Sequence, residues 1–385
     1  MEKKISTHQA CLLIVLSTIA LKLSTLPAIM SDYASSNSYI ICFVAIVFDF
    51  IGTLIILKVM EKIPEKNFFE LIKKVWSKPV AIIIYILLAI YFFSKSASAL
   101  FQLHNYYSSS LFEDLNHSFG LLIILFLSLF LLSKNFRTFG RLMEICFWPI
   151  AIAVMFTLLY PINSIKLTNL FPLLEDGVYP IWNGFLHTSF AFGDYMVLFV
   201  LMGKIDYNKT TTKKILFYSL NVLLFVLNFY VVFVGVYGHT AVNQTLALSE
   251  LPLHNSFSVT VSKLEWLTII VWTALLFIYA NFMNKCSCEC LDRIFNISGK
   301  KSIPIVVSTL TTIVQLVVVF EPGHISKIFT NMPVGIASKI FPLVVIFILI
   351  TSYLIDKKQN KNNFKNIKNT RRKTYGENTQ KAIQK

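Results

Sequence analysis

Apolar residues fill long continuous runs along this chain, and polar residues gather in the gaps between them. The runs lie at roughly 9–31, 38–60, 79–102, 119–133, 139–160, 180–202, 213–238, 265–285, 302–320 and 336–355. They approach the ~20 residues a helix needs to cross ~30 Å of hydrocarbon. Backbone groups in lipid must be paired within the segment, so runs this long predict helices rather than strands. The expected fold class is therefore all-α: a polytopic membrane protein of about ten transmembrane helices. The fourth run is short and borrows from Asn116 to Phe119 or tilts little. Between the second and third runs, Asn67 to Trp76 alternates apolar and basic residues at helical spacing, which predicts a short helix lying on the membrane surface with Trp76 at the interface. The segments Pro161 to Pro180 and His239 to Glu265 are long enough to fold over a vestibule.

Positive charge falls into alternate gaps. Lys58, Lys62, Lys66, Lys73, Lys74 and Lys78 crowd one gap, whereas Ser31 to Ser38 before it and Phe101 to Ser118 after it hold no Lys or Arg. Lys134, Arg137 and Arg141, then Lys204 to Lys214, then Lys285 to Lys301 mark the later basic gaps. Cytoplasmic loops carry the excess of Lys and Arg, so this alternation predicts both termini in the cytoplasm.

Composition agrees: 55% of the residues are hydrophobic, and the mean hydropathy is +0.65. The formal charge of +15 then needs no nucleic-acid partner. It sits beside anionic lipid headgroups, where each basic residue contributes about 1 kcal/mol of attraction. The chain divides into a transmembrane domain, 1–355, and a basic cytoplasmic tail, 356–385, expected to be disordered because it holds almost no apolar residue. Lys3 and Lys4 before an apolar run imitate a signal peptide. No small-residue cleavage site follows, and Lys22 and Pro27 interrupt the run, which reads as an uncleaved first span.

Two interrupted spans carry the candidate chemistry. In the first, Ala20 to Pro27, Pro27 lacks an N–H and frees a carbonyl one turn earlier, near Leu23. Lys22 stands ~13 residues into the span, ~20 Å deep at 1.5 Å per residue. A lysine there costs several kcal/mol unless it meets an anion or water. In the sixth span, Gly193 loosens the helix and Asp194 lies ~21 Å in; Asp49 in the second span lies ~16 Å in and is a rival partner for Lys22. Paired interruptions of this kind point to a transporter-type binding site near the midplane. Its expected lining is Leu21, Lys22, Leu23, Ser24, Phe190, Phe192, Gly193 and Asp194, with further groups from the third and eighth spans. Unwound backbone there offers N–H groups to a carboxylate and carbonyls to an ammonium, as a zwitterionic amino acid requires. A purely structural ion pair locking helices together is the alternative.

Other polar residues have plainer readings. Tyr91, Ser94, Lys95, Ser98 and Gln102 recur at three- and four-residue intervals, a stripe facing protein or water, with Lys95 expected to snorkel toward the outer end. Glu144 is expected to pair with Arg141. Cys286 and Cys290 fall on one helical face with Cys288 opposite, and no nearby His completes a tetrahedral metal set, so reduced cysteines at a helix end are expected. No catalytic constellation, phosphate-cradling loop or cofactor motif stands out.

The residues carry a resemblance as well. Ile5-Ser6, Gln9, Leu26-Pro27, the stretch Asn169 to Leu174, then Gly177, Pro180-Ile181, Gly184 and Phe192-Gly193-Asp194 resemble the permease-like B-subunit (GerAB-type) family of spore germinant receptors. The similarity covers essentially the whole chain. The family is in turn similar to amino-acid permeases of the amino acid–polyamine–organocation superfamily. The resemblance implies a five-plus-five inverted repeat with broken first and sixth helices, and recognition of a nutrient, typically an amino acid, that triggers germination. It implies A-type and C-type receptor subunits as partners and the inner spore membrane, or a cell membrane, as location. The chain departs from the family at Lys22, where Gly is usual, at Asp194, where Glu is usual, and around Ser262 to Glu265, where an Arg-containing signature is degraded. The rival function is a proton-coupled secondary transporter of an amino acid or polyamine. A structural membrane partner is a third.

Overall fold

A computed structural model describes residues 4–64, 67–110, 126–205, 208–253, 261–296, 302–320 and 331–383. The described chain is helical throughout apart from connecting turns and a single parallel bridge between Ile5 and Ile205. In chain order the helices are α1 (Thr7–Ile19), α2 (Leu26–Ala34), α3 (Ser38–Met60), α4 (Phe68–Val75), α5 (Lys78–Ser110), α6 (126–132) and α7 (Phe136–Leu159). They continue as α8 (Tyr179–Thr188), α9 (Val197–Leu201), α10 (Lys209–Tyr237), α11 (Ala247–Leu253), α12 (Val261–Phe295), α13 (Ser302–Phe320) and α14 (Met332–Ile383). Seven stretches of the described residues are long and apolar enough to cross a membrane, with α1 and 302–314 as shorter apolar helices. Residues 119–125 of the expected fourth span lie outside the described residues, and 126–132 form α6.

Local signals start the helices. Ser6 caps α1 through a reciprocal box: its hydroxyl accepts from the Gln9 N–H at 3.2 Å, and the Gln9 side chain accepts from the Ser6 N–H at 3.4 Å. Asn67 caps α4 and Asn208 caps α10 in the same sense, at 2.8 and 2.7 Å. Pro27 and Pro180 stand in the first turns of α2 and α8, where a missing N–H costs nothing.

The bundle has a lysine-rich end and an opposite end carrying the longer loops. At the basic end, α4 corrects an expectation. Its apolar face does not meet lipid: Phe68, Phe69, Leu71 and Ile72 are buried, with the Phe68 ring tilted against that of Phe199 at a centroid distance of 4.6 Å. Lys74 pairs with Asp356 at 2.6 Å, and the Trp76 indole N–H donates to Ser352 at 3.0 Å, which moors α4 to α14. α14 itself runs on to Ile383, where disorder was expected from 356. The run beyond Asp356 contains no Pro and only Gly376, so no breaker interrupts the helical backbone.

At the other end the two loops fold inward as expected. The Asn169 side chain donates to the Gly235 carbonyl at 2.9 Å, and Tyr39 donates to the Leu170 carbonyl at 3.1 Å. In the second loop, the Tyr237 hydroxyl donates to the Glu250 carbonyl at 2.7 Å, and residues 254–260 lie outside the described region.

Candidate functional site

Both interruptions exist. α1 stops at Ile19, Ala20 to Thr25 run as turns, and Leu26-Pro27 begins a new helix rather than a kink in the old one. The freed Lys22 carbonyl is taken by the Tyr230 hydroxyl of α10 at 3.0 Å. In the second interruption α8 gives way to a tight turn over Ser189–Ala191, then extended Phe192, then Gly193 at φ 87°. A further tight turn, Asp194–Met196, leads into α9. Gly193 is required twice over. Its φ is left-handed, and a Cβ there would stand 2.7 Å from the Tyr91 hydroxyl.

The charged side chains converge on these breaks. Lys22 is fully buried and ion-paired with Asp194, so Asp194 rather than Asp49 is its partner. The Lys22 ammonium also stands 5.0 Å from the centroid of the Phe192 ring. Asp49 accepts from the Gly193 N–H and lies 4.0 Å from the Lys339 ammonium. Lys339 reaches in from α14 among the rings of Phe185, Phe48 and Phe192, at 4.9, 5.4 and 5.7 Å.

Lys95 departs from the expected snorkelling. It is fully buried, donates to the Phe192 carbonyl at 2.7 Å and to Asp194 at 3.3 Å, and so reinforces the second break. The reason is length: α5 runs to Ser110, so Lys95 sits near its middle, not near its end. Tyr279 of α12 completes the Asp194 shell at 3.5 Å, and the Tyr91 hydroxyl donates to the Gly193 carbonyl at 3.0 Å. Tyr279 comes from the eighth span, which was expected to contribute groups, whereas Lys339 and Tyr230 were not expected here. A lone Lys339 between Ile336 and Ile340-Phe341 was the signal that could have found the former.

A cavity of about 460 Å³ lies on the loop side of these breaks. Thr25 and Leu26 from the first break and Phe190 and Ala191 from the second line it, with Ser98 and Gln102 of α5. Phe190 is thus the one expected lining residue that faces this space, and its ring stands 5.3 Å from the Lys95 ammonium. Leu21, Lys22, Leu23, Ser24, Phe192, Gly193 and Asp194 are buried outside the lining. The Ser24 carbonyl accepts from the Ala247 N–H at 3.2 Å, which ties the first break to the loop helix α11.

Two contacts tie elements together at the basic end. The Ile5 N–H donates to the Lys204 carbonyl at 2.9 Å, joining the lead into α1 to the segment after α9. Lys204 pairs with Glu289 of α12 at 2.9 Å.

Two smaller expectations resolve as follows. Glu144 accepts from the Gln9 side chain at 3.3 Å, so it braces α7 against α1. Cys286 and Cys290 are buried in the main core while Cys288 faces a separate cluster with Leu132, Ile303 and Val307, the predicted split of faces. Among the described residues no group of three His, Cys, Asp or Glu could hold a metal. The side chains of Ser262 to Glu265 lie outside those described.

Comparison with known proteins places this geometry. A Bacillus subtilis (strain 168) relative, spore germination protein YndE, is 23% identical over 279 residues, covering 71% of this chain and 76% of that one. A manganese transporter variant from Eremococcus coleocola superposes with a TM-score of 0.60 at 12% identity, over 90% of this chain and 78% of its own. A nucleobase-cation-symport-1 family transporter, closed with bromovinylhydantoin bound, gives 0.52 at 12% identity, over 83% and 73%. At such identity the likeness establishes the transporter fold alone. Residues 4–322 match the spore permease model, described as spore germination protein, and this integral membrane chain therefore belongs to that permease family.

Proposed function

We propose that this chain is the permease-like subunit of a spore germinant receptor, which recognises a small nutrient within the membrane and triggers germination. The observation that carries the reading is the cavity, which touches both helix breaks at once through Thr25, Leu26, Phe190 and Ala191. A solute there bears on two segments whose backbone is already free of regular helix, so its binding energy acts where the fold is most easily rearranged. Leu21 to Ser24 and Phe192 to Asp194 form the wall behind that cavity. The basic end is read as cytoplasmic from its lysines, with both termini on that side and the cavity facing outward. The two breaks are read as corresponding positions of an inverted repeat.

In this role the partners are A-type and C-type receptor subunits in the inner spore membrane, with anionic lipid along the basic loops and tail. The ligand expected from the sequence is an amino acid. The test is genetic and biochemical together. Spores lacking this gene should ignore one nutrient while answering others, and the tagged protein should co-purify with the A-type and C-type subunits. Proteoliposomes that accumulate a labelled solute down a proton gradient, together with spores of normal response, would establish the transporter instead.

A further inference from the structure

We propose that the cavity selects a small carboxylate carrying a hydroxyl in place of an ammonium group, a 2-hydroxy acid, over the matching amino acid. This rests on the reading that a small nutrient enters the cavity. An ammonium group or a metal cation is held by oxygen acceptors: a carboxylate, or carbonyls freed where a helix unwinds. Both kinds are present at the breaks, and the chain's own donors hold both carboxylates and four of the carbonyls. Asp194 is taken by Lys22, Lys95 and Tyr279. Asp49 is taken by the Gly193 N–H and faces Lys339. The Phe192, Gly193, Lys22 and Ser24 carbonyls accept from Lys95, Tyr91, Tyr230 and the Ala247 N–H respectively. A guest cation at either carboxylate would have to displace a lysine.

Charge points the same way. Lys22, Lys95 and Lys339 bring three positive charges to a cluster whose carboxylates are Asp49 and Asp194. An unbalanced positive charge in a medium of low dielectric favours an anion beside it and disfavours a cation. Asp32 also lines the cavity, but it is exposed, where water screens it. His187 lines the same rim, stacked 5.0 Å from Tyr33.

What stands open on the cavity side suits the proposed ligand. α2 begins at Leu26 with no side-chain cap on its first N–H groups, which favour a carboxylate. Gln102 is 8% exposed and lines the cavity, and its side-chain oxygen has no hydrogen-bond partner among the described residues. A buried acceptor left unmade is costly, and a ligand hydroxyl satisfies it without opposing the surplus charge.

The test uses the full chain in lipid nanodiscs and calorimetric titration of matched pairs: L-alanine with L-lactate, L-leucine with its 2-hydroxy analogue, and L-phenylalanine with phenyllactate. The bound hydroxy acid should be at least tenfold tighter than its amino acid. Lys22→Met, which removes the surplus charge, should narrow or reverse that ratio. Gln102→Leu leaves the ion cluster intact and should erase the difference between a hydroxy acid and the same acid without its hydroxyl. An amino acid that binds wild-type protein as tightly as its partner, or a ratio unmoved by Lys22→Met, overturns the inference while the nutrient reading stands. Binding by no member of any pair overturns both.

Discussion

The backbone N–H of Gly193 donates to both carboxylate oxygens of Asp49, at 3.0 and 3.1 Å. That bond makes α3 part of the second helix break. The left-handed turn at Gly193 leaves its N–H without a helical acceptor, and a carboxylate from a neighbouring helix supplies one. The opposite side of the same turn is held by Tyr91 and Lys95 of α5. The break is a braced structure, and its braces are testable.

Asp194 and Lys22 differ in how far the fold depends on them, although they pair with each other. Asp194→Asn leaves the buried Lys22 and Lys95 and the partly buried Lys339 facing Asp49 alone, and removing one partner of a buried pair costs about 3–5 kcal/mol. Lys22→Met leaves Lys95 beside Asp194 and Lys339 beside Asp49, so neither carboxylate loses its last cation. Thermal unfolding in detergent should show a large loss for the first variant and a small one for the second. Nutrient response should fail in both.

Gly193→Ala forces a Cβ into left-handed backbone, at about 1–2 kcal/mol, and pushes on the Tyr91 hydroxyl. Tyr91→Phe removes that hydroxyl at about 1 kcal/mol on its own. The double variant should therefore melt closer to wild type than the summed single losses require. Strict additivity would show that the two groups do not meet.

Gly335 marks the closest approach of α14 to α8. A Cβ there would fall 1.8 Å from the Leu186 carbonyl oxygen, a backbone atom that no rotamer change can move aside. Gly335→Ala should thus part the two helices and cost about 3 kcal/mol or more, beyond ordinary overpacking. Gly177 supplies the control: its φ is 78° but no described residue lies within 4 Å of the added Cβ, so alanine there meets only the left-handed strain of about 1–2 kcal/mol. Size-exclusion profiles and melting of the two variants give the comparison.

Glu250 sits half-buried in α11, and burial pushes its carboxyl above the ordinary carboxylate value. A raised folded-state pKa means that ionisation costs more in the folded chain. That cost is absent at pH below the unfolded value and develops as pH rises through the folded one. Glu250→Gln should accordingly raise the melting temperature at neutral pH, with the gain disappearing on acidification. A gain that grows on acidification would reverse the sign.

How far the chain could be read in advance depended on whether a signal was local. Ser38–Met60 was marked to the residue by its flanking polar gaps, and Pro27 and Gly193 each announce a break by chemistry contained in one residue. Lys22 and Asp194 could be placed at similar depths by counting, but depth does not give rotation, so Asp49 stayed a rival until the helices were assembled. Lys95 was misplaced because hydropathy ended its helix too early. The partner of the apolar face of α4, and the cavity itself, depend on residues far apart in the chain, which no local pattern encodes.

The bridge from Ile5 to Ile205 binds the head of the first interrupted helix to the tail of the second. This clasp stands where the chain's lysines gather, away from the cavity. In the proposed role, a subunit docked on that end would sense solute capture as the release of this one contact.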